Sequence, residues 1–418
     1  MGLNDTPAGE RVHIALFGKR NAGKSSLINA LTNQDLAIVS EQKGTTTDPV
    51  YKAMELLPLG PVMLIDTPGL DDEGKLGELR IRKAMEVLNK TDIAILVMDA
   101  RELVGKDIEN FSYQKETEEI LIKIKKKQIP YLVVINQTDL LSGENREVLL
   151  SLLSKEDKNG EIRIPVSAVT RENIEELKEI LARQLTQEKN GYPIVKDLIN
   201  PLDFVVLVVP IDESAPKGRL ILPQQQTIRE LLDANAIPVV TKETTLAETL
   251  DALGKKPALV VTDSQAFGKV SKIVPEDVPL TSFSILMARH KGGLGALLDG
   301  WNAVKGLKQG DRVLISEGCT HHRQCNDIGT VKIPRWLSEC TGLTVQIDTS
   351  SGGGFPEDLS EYALIIHCGG CMLPGREMRC RIRSAQEQGI PIVNYGIFIA
   401  GVTGILERSI APVLHTLS

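Results

Sequence analysis

The octapeptide Gly18–Ser25, GKRNAGKS, constrains the fold more than any other feature of this sequence. It follows an apolar run at Val12–Phe17 and matches the G-x-x-x-x-G-K-S pattern of a phosphate-binding loop between a strand and a helix. The glycines let the backbone wrap a phosphate chain, so that N–H groups and the helix N-terminus face negative charge. Lys24 is expected to neutralise β- and γ-phosphate oxygens, and the Ser25 hydroxyl to bind Mg²⁺. The sequence therefore predicts a nucleotide-binding α/β domain.

Two further segments predict the metal and γ-phosphate contacts. In Asp66–Gly69 (DTPG), the Asp66 carboxylate would lie near the metal and the Gly69 N–H near the γ-phosphate. In Gly44–Thr47 (GTTT), Thr46 would supply a second hydroxyl to Mg²⁺ from a loop. Either tetrapeptide alone is compatible with an ordinary polar turn, but their order after a phosphate-binding loop favours a nucleotide site.

Two later segments indicate that the base is guanine. Asn136–Asp139 (NQTD) follows an apolar run, and the Asp139 carboxylate can accept hydrogen bonds from guanine N1–H and the 2-amino group, which adenine does not offer. Ser167–Ala168 follows the next run and can present a backbone N–H to the guanine oxygen. The predicted nucleotide-binding residues are Gly18, Asn21, Ala22, Gly23, Lys24, Ser25, Ser26, Thr46, Asp66, Gly69, Asn136, Asp139, Ser167 and Ala168.

The first 185 or so residues resemble a translation-factor-type GTPase domain, close to the group that acts in ribosome assembly and tRNA modification. Lys24, Thr46, Gly69 and Asn21 are the predicted catalytic residues. Leu70 stands where many GTPases carry a water-orienting Gln, so slow intrinsic hydrolysis is expected. GTPases with an Asn at the position of Asn21 often recruit K⁺, and we expect the same here; the alternative is that Asn21 only supports the loop.

Apolar runs that alternate with amphipathic stretches predict an α/β protein of three domains: a P-loop GTPase domain (1–188), a middle α/β domain (189–276) and a C-terminal α/β domain (277–418) that contains every cysteine. A Gly/Pro-punctuated linker and the Pro275–Pro279 break mark the limits. Periodicity does not distinguish two small parallel sheets from one larger sheet across the second limit. The predicted strands are Val12–Phe17, Val62–Ile65, Ile93–Met98, Tyr131–Ile135, Ile162–Val166, Phe204–Val209, Ile237–Val240, Ala258–Thr262, Arg312–Ser316, Leu343–Ile347, Tyr362–Ile366 and Pro391–Asn394.

All six cysteines lie in the last quarter of the chain, which favours a metal site over a disulfide scaffold. Cys319 and His321 follow one predicted strand, and His367, Cys368 and Cys371 follow another. In a parallel sheet both segments emerge at the carboxyl edge, where three thiolates can converge. The other cysteines (Cys325, Cys340 and Cys380) are expected to be packed or free thiols.

Spacing alone leaves zinc and a [4Fe–4S] cluster as equal alternatives. Zinc would take the three thiolates and one histidine, whereas a cluster can leave one iron with an exchangeable ligand. A mononuclear redox metal suits this soft donor set less well, and a chance grouping of buried cysteines is the remaining alternative.

The pattern C-x-H, then about forty-five residues, then H-C-x-x-C, downstream of a GTPase domain, resembles the FeFe-hydrogenase H-cluster maturation GTPase (HydF) family. The segments Leu222–Arg229 and Met287–Gly293 also resemble this family. The resemblance implies that the middle domain (189–276) is a dimerisation domain and that the C-terminal domain (277–418) binds an iron–sulfur cluster. It implies that Cys319, Cys368 and Cys371 hold a [4Fe–4S] cluster, with His321 and His367 as a labile fourth ligand or as hydrogen-bond donors. It implies a scaffold that carries a di-iron precursor to apo FeFe-hydrogenase, acts with the other maturation proteins, and forms a homodimer or tetramer.

The composition limits the partners. Forty-eight basic and 55 acidic residues give a net charge of −7, so we expect neither nucleic acid nor a membrane surface as a partner. No apolar run approaches the ~18 residues of a membrane helix, and a cytoplasmic location is expected. Two other functions fit the motifs: a zinc-containing GTPase of ribosome or tRNA maturation, and a GTPase switch controlled by the redox state of the cluster.

Overall fold

The structure is a computed structural model of the 418-residue chain, and it describes residues 6–33, 48–69, 75–104, 113, 115–154, 161–187, 192–210, 220–318 and 327–414. The chain divides into two compact units, Met1–Lys189 and Asn190–Ser418. The predictions made for Thr46, Leu70, Cys319 and His321 fall outside the described residues.

The first unit contains a sheet whose described strands run in the order β2-β3-β1-β4-β5-β6. Only the β2–β3 pairing is antiparallel among these, so the carboxyl ends of the other strands share one edge. Apolar side chains on both faces of the sheet form two cores, as the near-continuous apolar runs predict. The strands are β1 (Val12–Phe17), β2 (Val50–Leu56), β3 (Gly60–Asp66), β4 (Ile93–Asp99), β5 (Tyr131–Asn136) and β6 (Arg163–Pro165).

The helices of this unit connect the parallel strands and cover the sheet. The described helices are α1 (Lys24–Thr32), α2 (Lys75–Leu88), α3 (Ala100–Leu103), α4 (Lys115–Lys126), α5 (Gly143–Ser154) and α6 (Ile174–Gln187), with 3₁₀ turns at Ala8–Glu10 and Thr138–Leu140.

The second unit contains two four-stranded sheets, and every described pairing in both is parallel. The middle sheet has the order β10-β9-β7-β8, and the C-terminal sheet has the order β12-β11-β13-β14. The α/β class with two smaller parallel sheets after the P-loop domain is therefore confirmed. The strands are β7 (Phe204–Val208), β8 (Ile237–Thr241), β9 (Leu259–Thr262), β10 (Leu280–Ser282), β11 (Arg312–Glu317), β12 (Gln346–Ser351), β13 (Leu364–His367) and β14 (Ile392–Asn394).

The helices of the second unit bring the two sheets together. One hydrophobic core runs from Ile194 to Val413 and includes side chains from both sheets. The described helices are α7 (Leu222–Asp233), α8 (Leu246–Ala252), α9 (Phe267–Ile273), α10 (Phe283–His290), α11 (Leu294–Val304), α12 (Ile333–Thr341), α13 (Gly375–Glu387), α14 (Tyr395–Val402) and α15 (Leu406–Leu414), with a π-helical turn at Ile328–Lys332 and 3₁₀ turns at Lys196–Leu198 and Ser264–Ala266.

The middle sheet extends beyond the predicted limit at residue 276. Strand β10 pairs with β9 in parallel, with Leu280 opposite Val260, so the Pro275–Pro279 break is a loop between α9 and β10. The helix α15 packs back on β10, and Arg408 donates to the carbonyls of Val274 and Pro275 at 3.0 and 2.6 Å. A short loop flanked by prolines has the same composition as a linker between domains. The sequence pattern therefore does not distinguish a loop within a domain from a domain limit.

Among the described residues, none of the helices has the length and apolar character that crossing a bilayer requires.

Candidate functional site

The phosphate-binding loop closes tightly against two neighbouring segments of the first unit. A Cβ on Gly18 (φ 154°) would lie 2.2 Å from the carbonyl oxygen of Val97, and a Cβ on Gly23 (φ 84°) would lie 2.2 Å from Nδ2 of Asn136. Lys24 is buried, and its Nζ donates to the carbonyls of Gly18 and Lys19 at 2.9 and 2.7 Å. The ammonium is thus held against the loop that the nucleotide phosphates would occupy.

The predicted magnesium ligands meet where β3 ends and α1 begins. The Ser25 hydroxyl donates to the Asp66 carboxylate, and hydroxyl and carboxylate oxygens are the ligands that Mg²⁺ prefers. Thr67 fixes the end of β3, because its Oγ1 donates to the carbonyl of Leu16 on β1 at 2.5 Å. Gly69 is half-buried three residues beyond Asp66.

Hydrogen bonds also bring the predicted base-recognition residues together. Asn136 is buried; its Nδ2 donates to the carbonyl of Ala22 at 3.1 Å, and its Oδ1 accepts from the N–H of Ala168 at 3.1 Å. The Ser167 hydroxyl donates to Oδ1 of Asp139 at 2.6 Å. The loops after β5 and β6 are therefore fixed to each other and to the phosphate-binding loop.

A second connection to the phosphate-binding loop was missed by sequence reasoning. Nε2 of Gln137 donates to the carbonyl of Asn21 at 2.7 Å, and Arg101 donates to Oε1 of Gln137 at 2.8 Å. Arg101 in turn pairs with Asp99 at 2.6 Å, beside a cavity of about 210 Å³ that Asn21 also lines. The signal for Gln137 was its place inside the NQTD motif, whereas Arg101 carries no motif.

In the second unit, the loop that follows β13 presents two thiols. We call residues Cys368–Pro374 the cysteine loop. Sγ of Cys368 accepts from the N–H groups of Gly318 and Gly370 at 3.0 and 3.4 Å, and Gly370 has a φ of 58°. Cys371 is half-buried in the same loop. Gly318 directly precedes Cys319 in the chain, so the segment that carries the third predicted thiol begins at this contact.

Burial raises the pKa of the Cys368 thiol, and the hydrogen bonds from Gly318 and Gly370 oppose that effect. A metal that binds here must displace the thiol proton, so binding is coupled to deprotonation. Backbone N–H groups aimed at sulfur are the donors that stabilise a metal-bound thiolate, and in this respect the residues fit an iron–sulfur or zinc site.

His367 lies at the end of β13 and is fully buried. Its Nδ1 is 2.7 Å from the carbonyl of Cys368, and its Nε2 is 3.0 Å from Nη1 of Arg381. A carbonyl only accepts and a guanidinium only donates, so the ring is neutral with its proton on Nδ1. Burial, assisted by the positive charge of Arg381, lowers the pKa of His367 to about 3. This arrangement fits the predicted hydrogen-bonding role, and in this conformation both ring nitrogens have protein partners.

A buried ion pair lies behind His367 and was not predicted from the sequence. Arg381 donates to Oε1 of Glu377 and to the carbonyl of Gly352, each at 2.7 Å, and both charged side chains are almost fully buried. The guanidinium also lies over the Phe355 ring, 5.2 Å from its centroid. The feature of the sequence that could have indicated this pair is the spacing of Glu377 and Arg381, four residues apart in the helix that follows the cysteine loop.

Among the described residues, no three His, Cys, Asp or Glu side chains meet in a metal-binding group. Cys319, His321 and Cys325 lie outside those residues. Cys340 is exposed on α12, and Cys380 is half-buried on α13.

Together these features define a class of protein: a P-loop GTPase domain joined to two parallel-sheet α/β modules, the second of which carries a cysteine loop. Three family models match the chain: "50S ribosome-binding GTPase" over residues 13–137, "Hydrogen maturase F dimerization domain" over 194–292 and "Hydrogen maturase F tetramerization domain" over 295–412. The two maturase models together span more than half of the chain. The chain therefore belongs to the hydrogen maturase F (HydF) family, as its motifs predicted.

Similarity to individual curated proteins extends over part of the chain. GTPase Der of Mycoplasmopsis pulmonis is 30% identical over 207 residues, which cover 46% of this chain and 45% of Der. GTPase Era of Thermosipho melanesiensis is 30% identical over 196 residues, covering 46% of this chain and 62% of Era. The tRNA modification GTPase MnmE of Alkaliphilus metalliredigens is 31% identical over 219 residues, covering 47% and 44%. The chain thus spans about half the length of the curated relatives it matches.

The solved structure of Aquifex aeolicus Era, bound to GDP and AlF₄⁻, matches 58% of this chain and 98% of that chain, with 21% identity and a TM-score of 0.36. A likeness of this degree supports no inference about function.

The bridging role of Asn136 leads to a prediction about nucleotide affinity. We expect Asn136→Ala to raise the Kd for GDP about thirtyfold or more, because it removes hydrogen bonds to both Ala22 and Ala168. Isothermal titration calorimetry of the full chain with GDP and Mg²⁺ measures the change. Asn145→Ala, at an exposed position of α5, is the matched control and should bind as the wild type does. An unchanged Kd in Asn136→Ala would refute the bridging role.

Proposed function

We propose that this chain is a GTP-hydrolysing scaffold that binds a [4Fe–4S] cluster and a di-iron precursor and delivers the precursor to apo FeFe-hydrogenase. The observation that carries the proposal is the contact between Gly318 and Sγ of Cys368. It joins the loops after β11 and β13, and these loops hold the three cysteines of the family pattern. A scaffold of this kind acts in the cytoplasm, where reducing conditions keep the cysteines available.

The proposed cluster ligands are Cys319, Cys368 and Cys371. A cluster held by three thiolates keeps one iron open to exchange, which suits a protein that holds and releases a metal fragment. His367 donates to the carbonyl of Cys368 and so stabilises the cysteine loop. Of the two histidines that the family pattern offers, we therefore propose His321 as the exchangeable ligand.

The proposed reaction of the first unit is GTP hydrolysis: water attacks the γ-phosphate, the bond to the β-phosphate oxygen breaks, and GDP and phosphate leave. Lys24 and the Gly69 N–H would stabilise the charge that develops on the γ-phosphate. Ser25, Asp66 and Thr46 would hold Mg²⁺, which supplies further charge neutralisation when it is bound. The Asp139 carboxylate would select guanine.

The cluster proposal is tested by anaerobic purification of the full chain, followed by metal and sulfide analysis and EPR. We expect about four iron and four sulfide ions per chain. Cys368→Ser and Cys371→Ser should each lose most of this iron, whereas Cys340→Ser, a change of the same kind on α12, should keep it.

Stoichiometric zinc without iron in the wild type would contradict the cluster and favour the zinc-containing GTPase.

Delivery of the di-iron precursor is measured as hydrogen evolution after apo FeFe-hydrogenase is mixed with the precursor-loaded chain. The two serine variants should give none.

We also propose that K⁺ assists hydrolysis at Asn21. The backbone carbonyl of Asn21 is held by Gln137, and its side chain is exposed at the nucleotide loop, as a cation-recruiting residue requires. Hydrolysis in KCl should be about tenfold faster than in NaCl, because a cation at the transferring phosphate replaces a missing charge donor. Asn21→Ala should abolish the difference, and Asn145→Ala should retain it. Equal wild-type rates in the two salts would exclude this role.

The homodimer contact is proposed at β8, the outer strand of the middle sheet. Among the described strands, β8 pairs only with β7, so its other edge has no described partner strand. Ile237 and Val240 of β8 are 37% and 49% exposed, and Pro238 is typical of an edge strand. The family model that covers this sheet is a dimerization domain. Val240→Lys should convert the dimer to a monomer in size-exclusion chromatography with light scattering. Val331→Lys, at an equally exposed position of the C-terminal module, should leave the dimer contact intact; a dimeric Val240→Lys would contradict this assignment.

A further inference from the structure

Three consecutive residues at the end of α10, Arg289, His290 and Lys291, connect two parts of the second unit. They lie in the family-like segment Met287–Gly293, and none of them has a role in the function proposed above. Arg289 and His290 contact the segment Tyr192–Leu198, which enters this unit from the GTPase domain along the chain. Lys291 contacts the cysteine loop.

Lys291 holds the cysteine loop through two backbone carbonyls. Its Nζ donates to the carbonyl of Gly370 and, at 3.0 Å, to the carbonyl of Leu373. Gly370 is also the residue whose N–H donates to Sγ of Cys368 at 3.4 Å. The ammonium therefore fixes the same glycine that orients a donor toward the sulfur.

Arg289 and His290 anchor the other side of this connection. The Arg289 side chain is fully buried, pairs with Asp197 and donates to the carbonyl of Ile194 at 3.4 Å. The His290 ring contacts the carbonyl of Tyr192 at 2.7 Å. Separating a buried guanidinium from its carboxylate partner costs more free energy than breaking an exposed ion pair. We therefore expect this anchor to hold the end of α10 firmly.

We propose that Lys291 is the positioning residue of the cysteine loop. The neighbouring Arg289 and His290 fix the end of α10, and with it Lys291, to the segment Tyr192–Leu198. Lys291 holds the carbonyls of Gly370 and Leu373 and so keeps Gly370 where its N–H, which belongs to the preceding Gly369–Gly370 peptide group, faces Sγ of Cys368. It thereby stabilises a metal-bound thiolate without touching the metal. This inference rests on the proposed function, because it assigns the cysteine loop to the cluster. If Lys291 only stabilised the end of α10, its replacement would leave the reactivity of Cys368 and Cys371 unchanged.

The test compares full-length Lys291→Met with Lys291→Arg, which keeps a charged donor, and with Lys256→Met, an exposed lysine paired with Asp277. The first readout needs no metal: alkylation of Cys368 and Cys371 by iodoacetamide in the anaerobic apo chain, followed by mass spectrometry. Lys291→Met should raise the alkylation rate of Cys368 about tenfold, because the loop that buries the sulfur loses its two charged hydrogen bonds and opens, and this exposure outweighs the weaker stabilisation of the thiolate. The Cys368 rate in Lys291→Arg should lie between those of the wild type and Lys291→Met, and the rate in Lys256→Met should equal that of the wild type.

The second readout is the rate at which a chelator removes iron from the anaerobically loaded chain, which should rise in Lys291→Met and recover in Lys291→Arg. Wild-type rates in both readouts for Lys291→Met would overturn the inference. If Lys291→Met fails to fold, Lys291→Leu, which also lacks a donor, takes its place, and wild-type labelling in that variant has the same meaning. A wild type that takes up no cluster would refute the proposed function, while the labelling rates would still decide the role of Lys291.

Discussion

The hydrogen bond from the N–H of Gly318 to Sγ of Cys368 joins chain segments that are 50 residues apart, and it holds the cysteine loop against the residue that precedes Cys319. It forms because β11 and β13 pair in parallel, with Ser316 opposite His367, so both strands end at the same edge of the sheet. Parallel pairing thus places the cysteine loop beside the start of the Cys319 segment. Behind this edge, Arg381, which pairs with Glu377, donates to His367, and His367 donates to the carbonyl of Cys368 at the start of the cysteine loop.

The same rule organises the first unit. The strands β1, β3, β4 and β5 end at one edge. The phosphate-binding loop follows β1, and Asp66, Asp99 and Asn136 are the last residues of β3, β4 and β5. In both units the backbone topology selects the site, and hydrogen bonds between loops then fix it. Asn136 does this for the nucleotide loops and Lys291 for the cysteine loop.

The buried strands could be predicted from the sequence, because an apolar run between two helical segments has few other structures available. Strand β1 begins and ends at the predicted residues Val12 and Phe17. The exposed strands were harder. Strand β2 was missed, since it is an antiparallel edge strand with mostly exposed side chains, and β12 begins at Gln346 rather than Leu343 because it is a polar edge strand. Edge strands lack the apolar signal that burial on both faces produces.

The motifs predicted which site residues matter, but not what surrounds them. The partners of His367 are Arg381, fourteen residues further on, and the carbonyl of Cys368, and no local pattern encodes that pairing. Likewise, Lys291 reaches Gly370 from another module of the unit. We propose that Cys319, Cys368 and Cys371 bind one iron–sulfur cluster. Iron-edge anomalous diffraction from anaerobically grown crystals is the decisive measurement. It should show one cluster of four iron atoms, three of which are each bonded to a different one of the three Sγ atoms. A cluster bonded to Cys368 and Cys371 but remote from Cys319 would contradict this assignment.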